Sequence, residues 1–363
     1  MKHLVYTILF FCFLTDLHAQ RASTDLSVAR FYLTAAASGD IVMFAGGGTR
    51  GFVPSDIVDI YDLKTRQWES SKLSAPRHGP SAVSAGQKIY VAGGYNIRTK
   101  EESNVVDVYD VPAKTWTTAH LSQARHNIMA VFVGNKILFA GGGIAAPESP
   151  LATTSDIVDI YDMTANTWSV QKLSLPRDNM GATACGSKAY FGGGFSFDGK
   201  ASTRIDVYDA AANTWDTLSL PVARFSISVV SAGDKIMFAG GQNENNDYMK
   251  RVDIWDPATR KWSVAELAEP RVWMTTGVLC GKVVFAGGGT FNWDNKFINA
   301  SSDSVDLYDL KTGTWTIDHL SFTGCGGAGA VSGNTFLTGG GWTPPSIFNQ
   351  KVDVFTCEDL NKE

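Results

Sequence analysis

Seven times along this chain an apolar strand runs into a cluster of glycines: IVMFAGGG (41–48), KIYVAGG (88–94), KILFAGGG (136–143), KAYFGGG (188–194), KIMFAGG (235–241), KVVFAGGG (282–289) and TFLTGGG (335–341). A five-residue motif follows each: VDIYD (58–62), VDVYD (106–110), VDIYD (158–162), IDVYD (205–209), VDIWD (252–256), VDLYD (305–309) and VDVFT (352–356). In six units a tryptophan stands seven residues after the aromatic: Trp68, Trp116, Trp168, Trp215, Trp262 and Trp315. Nine residues further on come Arg77, Arg125, Arg177, Arg224, Arg271 and, out of series, Gly324; Arg30 opens the first unit. A repeat of about 50 residues confines the chain to an array of similar units that bury their faces against one another.

Each unit supplies four short runs: an apolar strand after the arginine (a), the strand ending in glycines (b), the VDIYD strand (c) and the tryptophan strand (d). Alternation along c places Val58, Ile60 and Asp62 on one side and Asp59 and Tyr61 on the other. The carboxylates of SDIVDIYD, which occurs letter for letter at 55–62 and 155–162, therefore do not converge on a site. Asp59 recurs in all seven units, as a framework residue does. The c–d links hold Asn, Thr, Lys and Gly, as hairpin turns require. The paired glycines permit positive φ or a close backbone approach. A four-stranded sheet by itself exposes two apolar faces, and radial packing buries both.

This order of glycines, tyrosine and tryptophan resembles the kelch repeat over essentially all of Arg30–Phe355. The Gly-His signature and shorter period of a WD40 array are absent. The resemblance implies an all-β, seven-bladed kelch-type β-propeller with four-stranded blades. The expected blades are 30–73, 77–121, 125–173, 177–220, 224–267, 271–320 and 324–357. The seventh lacks its own tryptophan strand, and Arg21–Leu26 lies where such a strand would precede Arg30. Residues 21–26 are therefore expected to complete the last blade and close the ring; six blades plus a loose terminal unit is the alternative.

Residues 1–19 read as a secretory signal: Lys2 and His3, an apolar run Leu4–Leu14, and Leu17-His18-Ala19 as the cleavage end. The run is short for a membrane span, so no membrane insertion is expected after cleavage, and the mature domain is 20–363, exported and monomeric. A net charge of −5 with no basic tract excludes the usual signs of nucleic-acid or anionic-membrane binding.

From each arginine position to the aromatic of strand c the count is 31, 32, 36, 31, 31, 37 and 31. The variation falls in the b–c loop, and length tolerance confined to one loop class marks the face where function varies. Strand direction puts these loops and the starts of the a strands at one mouth. In kelch relatives that mouth is the usual partner-binding surface, which the resemblance implies here. Arg30, Arg77, Arg125, Arg177, Arg224 and Arg271 are candidates for reading carboxylates or sugar acids. Residues repeated in six units are also what a scaffold needs, tying loops to the strand-c aspartates. The unit-specific His78, His126, Asp178, Trp273 and Trp293 are then the stronger ligand-binding candidates, with Trp342 a further candidate among the loop aromatics of that mouth.

His78, His126 and Asp178 occupy one equivalent position in three consecutive units, a low-ranking set for Zn, Cu or Fe. No nucleophile elbow, phosphate loop or unit-specific carboxylate pair is present. The leading expectation is a non-catalytic module that binds a protein or glycan and needs no cofactor. The alternative is a secreted enzyme acting on a sugar or sugar acid, an oxidase or epimerase, and only that reading calls for copper or iron. A structural role in a matrix or envelope is the third. Cys185, Cys280, Cys325 and Cys357 are expected as free, mostly buried thiols. Asn299-Ala300-Ser301 is a glycosylation sequon in the longest loop.

Overall fold

The computed structural model describes residues 22–144, 153–292, 297–343 and 347–360. Within them the chain forms seven four-stranded antiparallel sheets, each a meander in the order a, b, c, d. In blade one these strands are Thr34–Ser38, Ile41–Ala45, Ile57–Asp62 and Gln67–Lys72. The same meander returns in blades two to six over 81–120, 129–172, 181–219, 228–266 and 275–319. Blade seven takes its first three strands from Ala328–Ser332, Thr335–Gly339 and Lys351–Thr356, and its outer strand, Ser23–Asp25, from the other end of the chain. The molecule is a seven-bladed propeller, and the six-bladed alternative falls away.

The N-terminal strand closes the ring by reproducing the other seams. In blades two and four the tryptophan indole reaches back to the preceding blade: Trp116 Nε1 donates to Ser71 Oγ at 2.9 Å and Trp215 Nε1 to Gln171 Oε1 at 2.6 Å. Both acceptors lie three residues past the previous tryptophan. Trp68 makes the same bond to Thr24 Oγ1 at 2.8 Å, so Thr24 stands where a blade-seven outer strand would put it. A leucine five residues past each tryptophan position shows the same equivalence. Leu73 N–H donates to Asp56 O and Leu121 N–H to Asn104 O, both at 2.7 Å; Leu26 N–H donates to Gln350 O at 2.8 Å.

Seven apolar clusters fill the seams, one between each pair of neighbouring blades including seven and one. Strand c serves two of them, as its alternation predicts. Val58 and Ile60 pack with Ile89 and Val91 of blade two, while Tyr61 packs with Leu337 and Val352 of blade seven. Phe44, Phe139, Phe191, Phe238 and Phe285, from five b strands, are wholly buried; each such ring removed from water stabilises by roughly 1.5–3 kcal/mol.

Both expected roles of the glycines hold at blade two. Gly93 and Gly94 have φ of 67° and 107°. A Cβ on Gly93 would lie 2.7 Å from the Arg125 carbonyl oxygen of the next blade, and one on Gly94 2.8 Å from that of His78. Gly94 N–H donates to Arg125 O at 2.9 Å, joining neighbouring blades by backbone alone.

The cysteine expectation needs correction. Cys280 and Cys357 form a disulfide with Cα atoms 5.6 Å apart; Cys185 and the buried Cys325 are free. Strand a of blade six and strand c of blade seven both end at the face away from the b–c loops. After strand c, blade seven continues into a short helix, Cys357–Leu360, instead of its own outer strand. That helix packs beside blade six, where Lys282 Nζ donates to Leu360 O at 2.6 Å, and it brings the two sulfurs together.

Candidate functional site

The six arginines are turned into the blades. Each is 0–1% exposed. Arg30 Nη1 donates to the carbonyl oxygens of Gly46 (2.9 Å) and Ile57 (2.6 Å), and Nη2 donates to Asp59. Arg77 pairs with Asp107 at 2.5 Å, and Arg125–Asp159, Arg177–Asp206, Arg224–Asp253 and Arg271–Asp306 repeat the ion pair. Each guanidinium thus ties the start of strand a to strand c of its own blade. The aspartates also hold the preceding interblade linkers: Ser122 N–H donates to Asp159 at 2.8 Å and Ser174 N–H to Asp206 at 2.9 Å. Burial lowers the guanidinium pKa against the opposing pull of the carboxylate, for Arg177 to about 10, which leaves it cationic at neutral pH. In blade seven, Gly324 replaces the arginine, and Asp353 accepts the N–H and hydroxyl of Ser321 at 2.6 and 2.5 Å. The arginines therefore do the scaffold work considered for them, and none lines the cavity described next.

Two residues past each arginine position the backbone enters the left-handed region in all seven blades: Tyr32, Gly79, Asn127, Asn179, Ser226, Trp273 and Gly326, with φ between 49° and 68°. The residue just before pairs with the one following the glycines, as in Phe31 with Gly48, His78 with Tyr95 and Asp178 with Phe195. These bridges fix the b–c loop bases and the a-strand starts together at one mouth, as strand direction predicts. Backbone bonds link the left-handed residues blade to blade. Tyr32 N–H donates to Gly326 O (2.8 Å), Gly79 N–H to Tyr32 O (2.9 Å) and Ser226 N–H to Asn179 O (2.8 Å).

All seven line one cavity of about 530 Å³. Leu33, Ile128, Ile227, Met129, Met180 and Met274 make its apolar wall. The ring itself is chemically divided. Across blades six, seven and one, Trp273 and Tyr32 meet edge to face with centroids 5.6 Å apart. They do so over Gly326, where a Cβ would lie 3.0 Å from the tyrosine ring. Phe31, Trp342 and Cys325 are buried behind them with Phe291 and Phe348 packed alongside. Across blades three to five the ring is Asn127, Asn179 and Ser226. Ser226 is 5% exposed, and its hydroxyl has no hydrogen-bond partner among the described residues. No hydrogen bond joins the Asn179 amide, the Tyr32 hydroxyl or the Trp273 indole N–H to another described residue.

No lysine, arginine, aspartate or glutamate is among the lining residues. His78 is a wall residue. Its Nε2 packs over Gly48 without a hydrogen-bond partner among the described residues, and burial lowers its pKa, partly offset by a hydrogen bond with the Tyr95 backbone. His126 also faces the cavity, with Nδ1 3.4 Å from Glu102 Oε1. Asp178 sits behind the lining, 5% exposed, accepting the Asn179 N–H at 2.5 Å. Burial raises its carboxyl pKa, opposed by His126 and by hydrogen bonds from Asn179 and Asn127. Among the described residues no group of three or more His, Cys, Asp or Glu is placed to hold a metal ion. Trp342 is 4% exposed and stacks on Phe348, so it supports the rim. Trp293 lies outside the described residues, as do 145–152 of the other long loop.

The structure thus brings His78, His126 and Trp273 to one cavity and moves the arginines, Asp178 and Trp342 behind it. Ser226 and the methionines were not singled out from the sequence. The available signal was the position two past each arginine, which changes from blade to blade while its surroundings repeat.

No helix among the described residues is long and apolar enough to cross a membrane. Among known proteins, 70 residues are 37% identical to the Rab9 effector protein with kelch motifs of Bos taurus, a match spanning 18% of this chain and 19% of that protein. The family described as the KLHDC2/KLHL20/DRC7 Kelch-repeats domain matches residues 31–220 and 126–341. With seven four-stranded blades, each carrying the glycine pair, the strand-c aspartate and the aromatic, this chain belongs to the kelch-repeat propeller family.

Proposed function

We propose that this chain is an exported, monomeric binding module that takes a protein or glycan partner across the mouth bearing the b–c loops. One observation carries the reading: residues that repeat from blade to blade are buried in the scaffold, while those that differ line a cavity at that mouth. Exposed Phe52 and Phe197 on the same loops extend the apolar surface outward. Export rests on residues 1–19, outside the described residues, and the Cys280–Cys357 disulfide supports it because such bonds persist in oxidising compartments. The bovine relative is named an effector of Rab9, which keeps a protein among the partners considered. No cofactor belongs to this proposal; copper or iron stays with the enzyme reading, in which the same cavity would turn over a sugar.

The test is photo-crosslinking from single positions on opposite faces of the exported chain, in its own extracellular medium. Phe52 and Phe197 report on the b–c mouth, and Lys64 and Lys114 on the c–d turns of the far face. Specific adducts are expected from the first pair alone. Adducts only from the second pair, or none from either, would reject the mouth as the binding face. N-terminal sequencing of the exported chain is expected to begin at Gln20.

A further inference from the structure

We propose that the cavity at this mouth holds one uncharged sugar ring, the end of a glycan, packed against the corner that Trp273 and Tyr32 form and hydrogen-bonded across to Asn179. This rests on the reading that the b–c mouth is the binding face, and it names what enters the cavity there.

Charge comes first. No fixed charge lines the cavity, and the six nearby guanidiniums are engaged by their own aspartates. A carboxylate, phosphate or ammonium brought inside would lose its hydration with no counter-charge to replace it. The occupant is therefore neutral.

The arrangement of the lining narrows it further. A pyranose presents a C–H face and a girdle of hydroxyls that both donate and accept. The first matches an aromatic platform and the second neutral amide and hydroxyl groups. The ring supplies these on opposite arcs, Trp273 with Tyr32 from blades six and one and Asn179 from blade four. A volume of about 530 Å³ lies within the usual range for small-ligand sites and accommodates a terminal residue.

One cost in the unliganded chain points the same way. Trp273 and Tyr32 occupy left-handed backbone at φ 54° and 49°. Bulky residues are outliers there, and such strain gathers where a site needs a particular side chain. Four of the other blades fill the same position with glycine or asparagine, which tolerate it, and the fifth with the small Ser226.

Titration calorimetry of the purified chain against two sets of oligosaccharides tests this, one set ending in neutral hexoses or N-acetylhexosamines and the other in uronic or sialic acid. Saturable binding to a neutral member is expected, unchanged between low and high salt. Trp273→Asn and Asn179→Gly should each weaken it at least tenfold. Both replacements suit a positive φ, and Asn179→Gly, which removes no hydrogen bond to another described residue, should hold the melting temperature and so separates loss of binding from loss of fold. Binding confined to acidic members, or neutral binding that survives both replacements, would overturn the proposal. If no saccharide binds while Phe52 or Phe197 still crosslinks a protein, the sugar is wrong and the mouth stands. With neither, both readings fall.

Discussion

The arginine tier and the left-handed ring lie two residues apart in sequence and differ in almost every physical respect. The tier is one residue type used six times, fully buried, each member neutralised by an aspartate of its own blade. The ring is made of five residue types across seven blades, faces the cavity, and leaves its side-chain polar groups largely unengaged by other described residues. The contrast teaches that in a ring of repeats the recurring residue solves a problem each blade shares. Chemistry aimed at one ligand must come from positions where the blades disagree.

The sharpest way to break this contrast is to remove one member of the tier. Arg177→Ala leaves Asp206 charged and buried, and the loss is expected at about 3–5 kcal/mol, read by urea unfolding. A loss under about 1 kcal/mol would return the arginines to the list of ligand-binding candidates. A scaffold element outside both regions sets the scale. Replacing Cys280 and Cys357 by serine opens a closure spanning 77 residues and should remove about 2–4 kcal/mol. Reductant should lower the melting temperature of the wild type and leave that variant unmoved.

Asp178 lies between tier and ring, and its behaviour with pH sharpens the boundary. Burial holds its folded-state pKa above the ordinary carboxylate value, so the unfolded chain releases this proton first as pH rises. The contribution of Asp178 is therefore most favourable in acid and declines as pH climbs from about 4 through the raised folded value. Asp178→Asn should be more stable than the wild type at pH 7, and the gap should close on acidification, as followed by thermal melts across that window. The smallest effect belongs to the ring. Ser226→Ala deletes a buried hydroxyl that has no hydrogen-bond partner among the described residues, and urea unfolding should show stability raised by about 1 kcal/mol.

Most of the fold was legible because a repeat offers seven readings of one structure. Blade number, strand order, the two faces of strand c and the part of residues 21–26 in closing the ring all follow from spacing. The recurring leucine five residues past each tryptophan position was equally visible, and the bond from Trp68 to Thr24 gives it meaning. The disulfide was legible only in part. Both cysteines could be assigned to the same face of adjacent blades, but their meeting depends on a helix that forms where the repeat stops.

By itself the sequence determined which positions recur in every blade, and identical side chains at identical spacing must meet identical surroundings when units pack around an axis. It also determined which face varies, since insertions collect in the b–c loops. Tertiary structure alone decided which variable residues share a cavity and what that cavity lacks. Residues from Tyr32 to Gly326 become neighbours only when the seven blades close, and whether an arginine points into the ring or into its own blade turns on side-chain direction. That direction is set by the buried aspartate waiting on strand c, about 30 residues further along the chain.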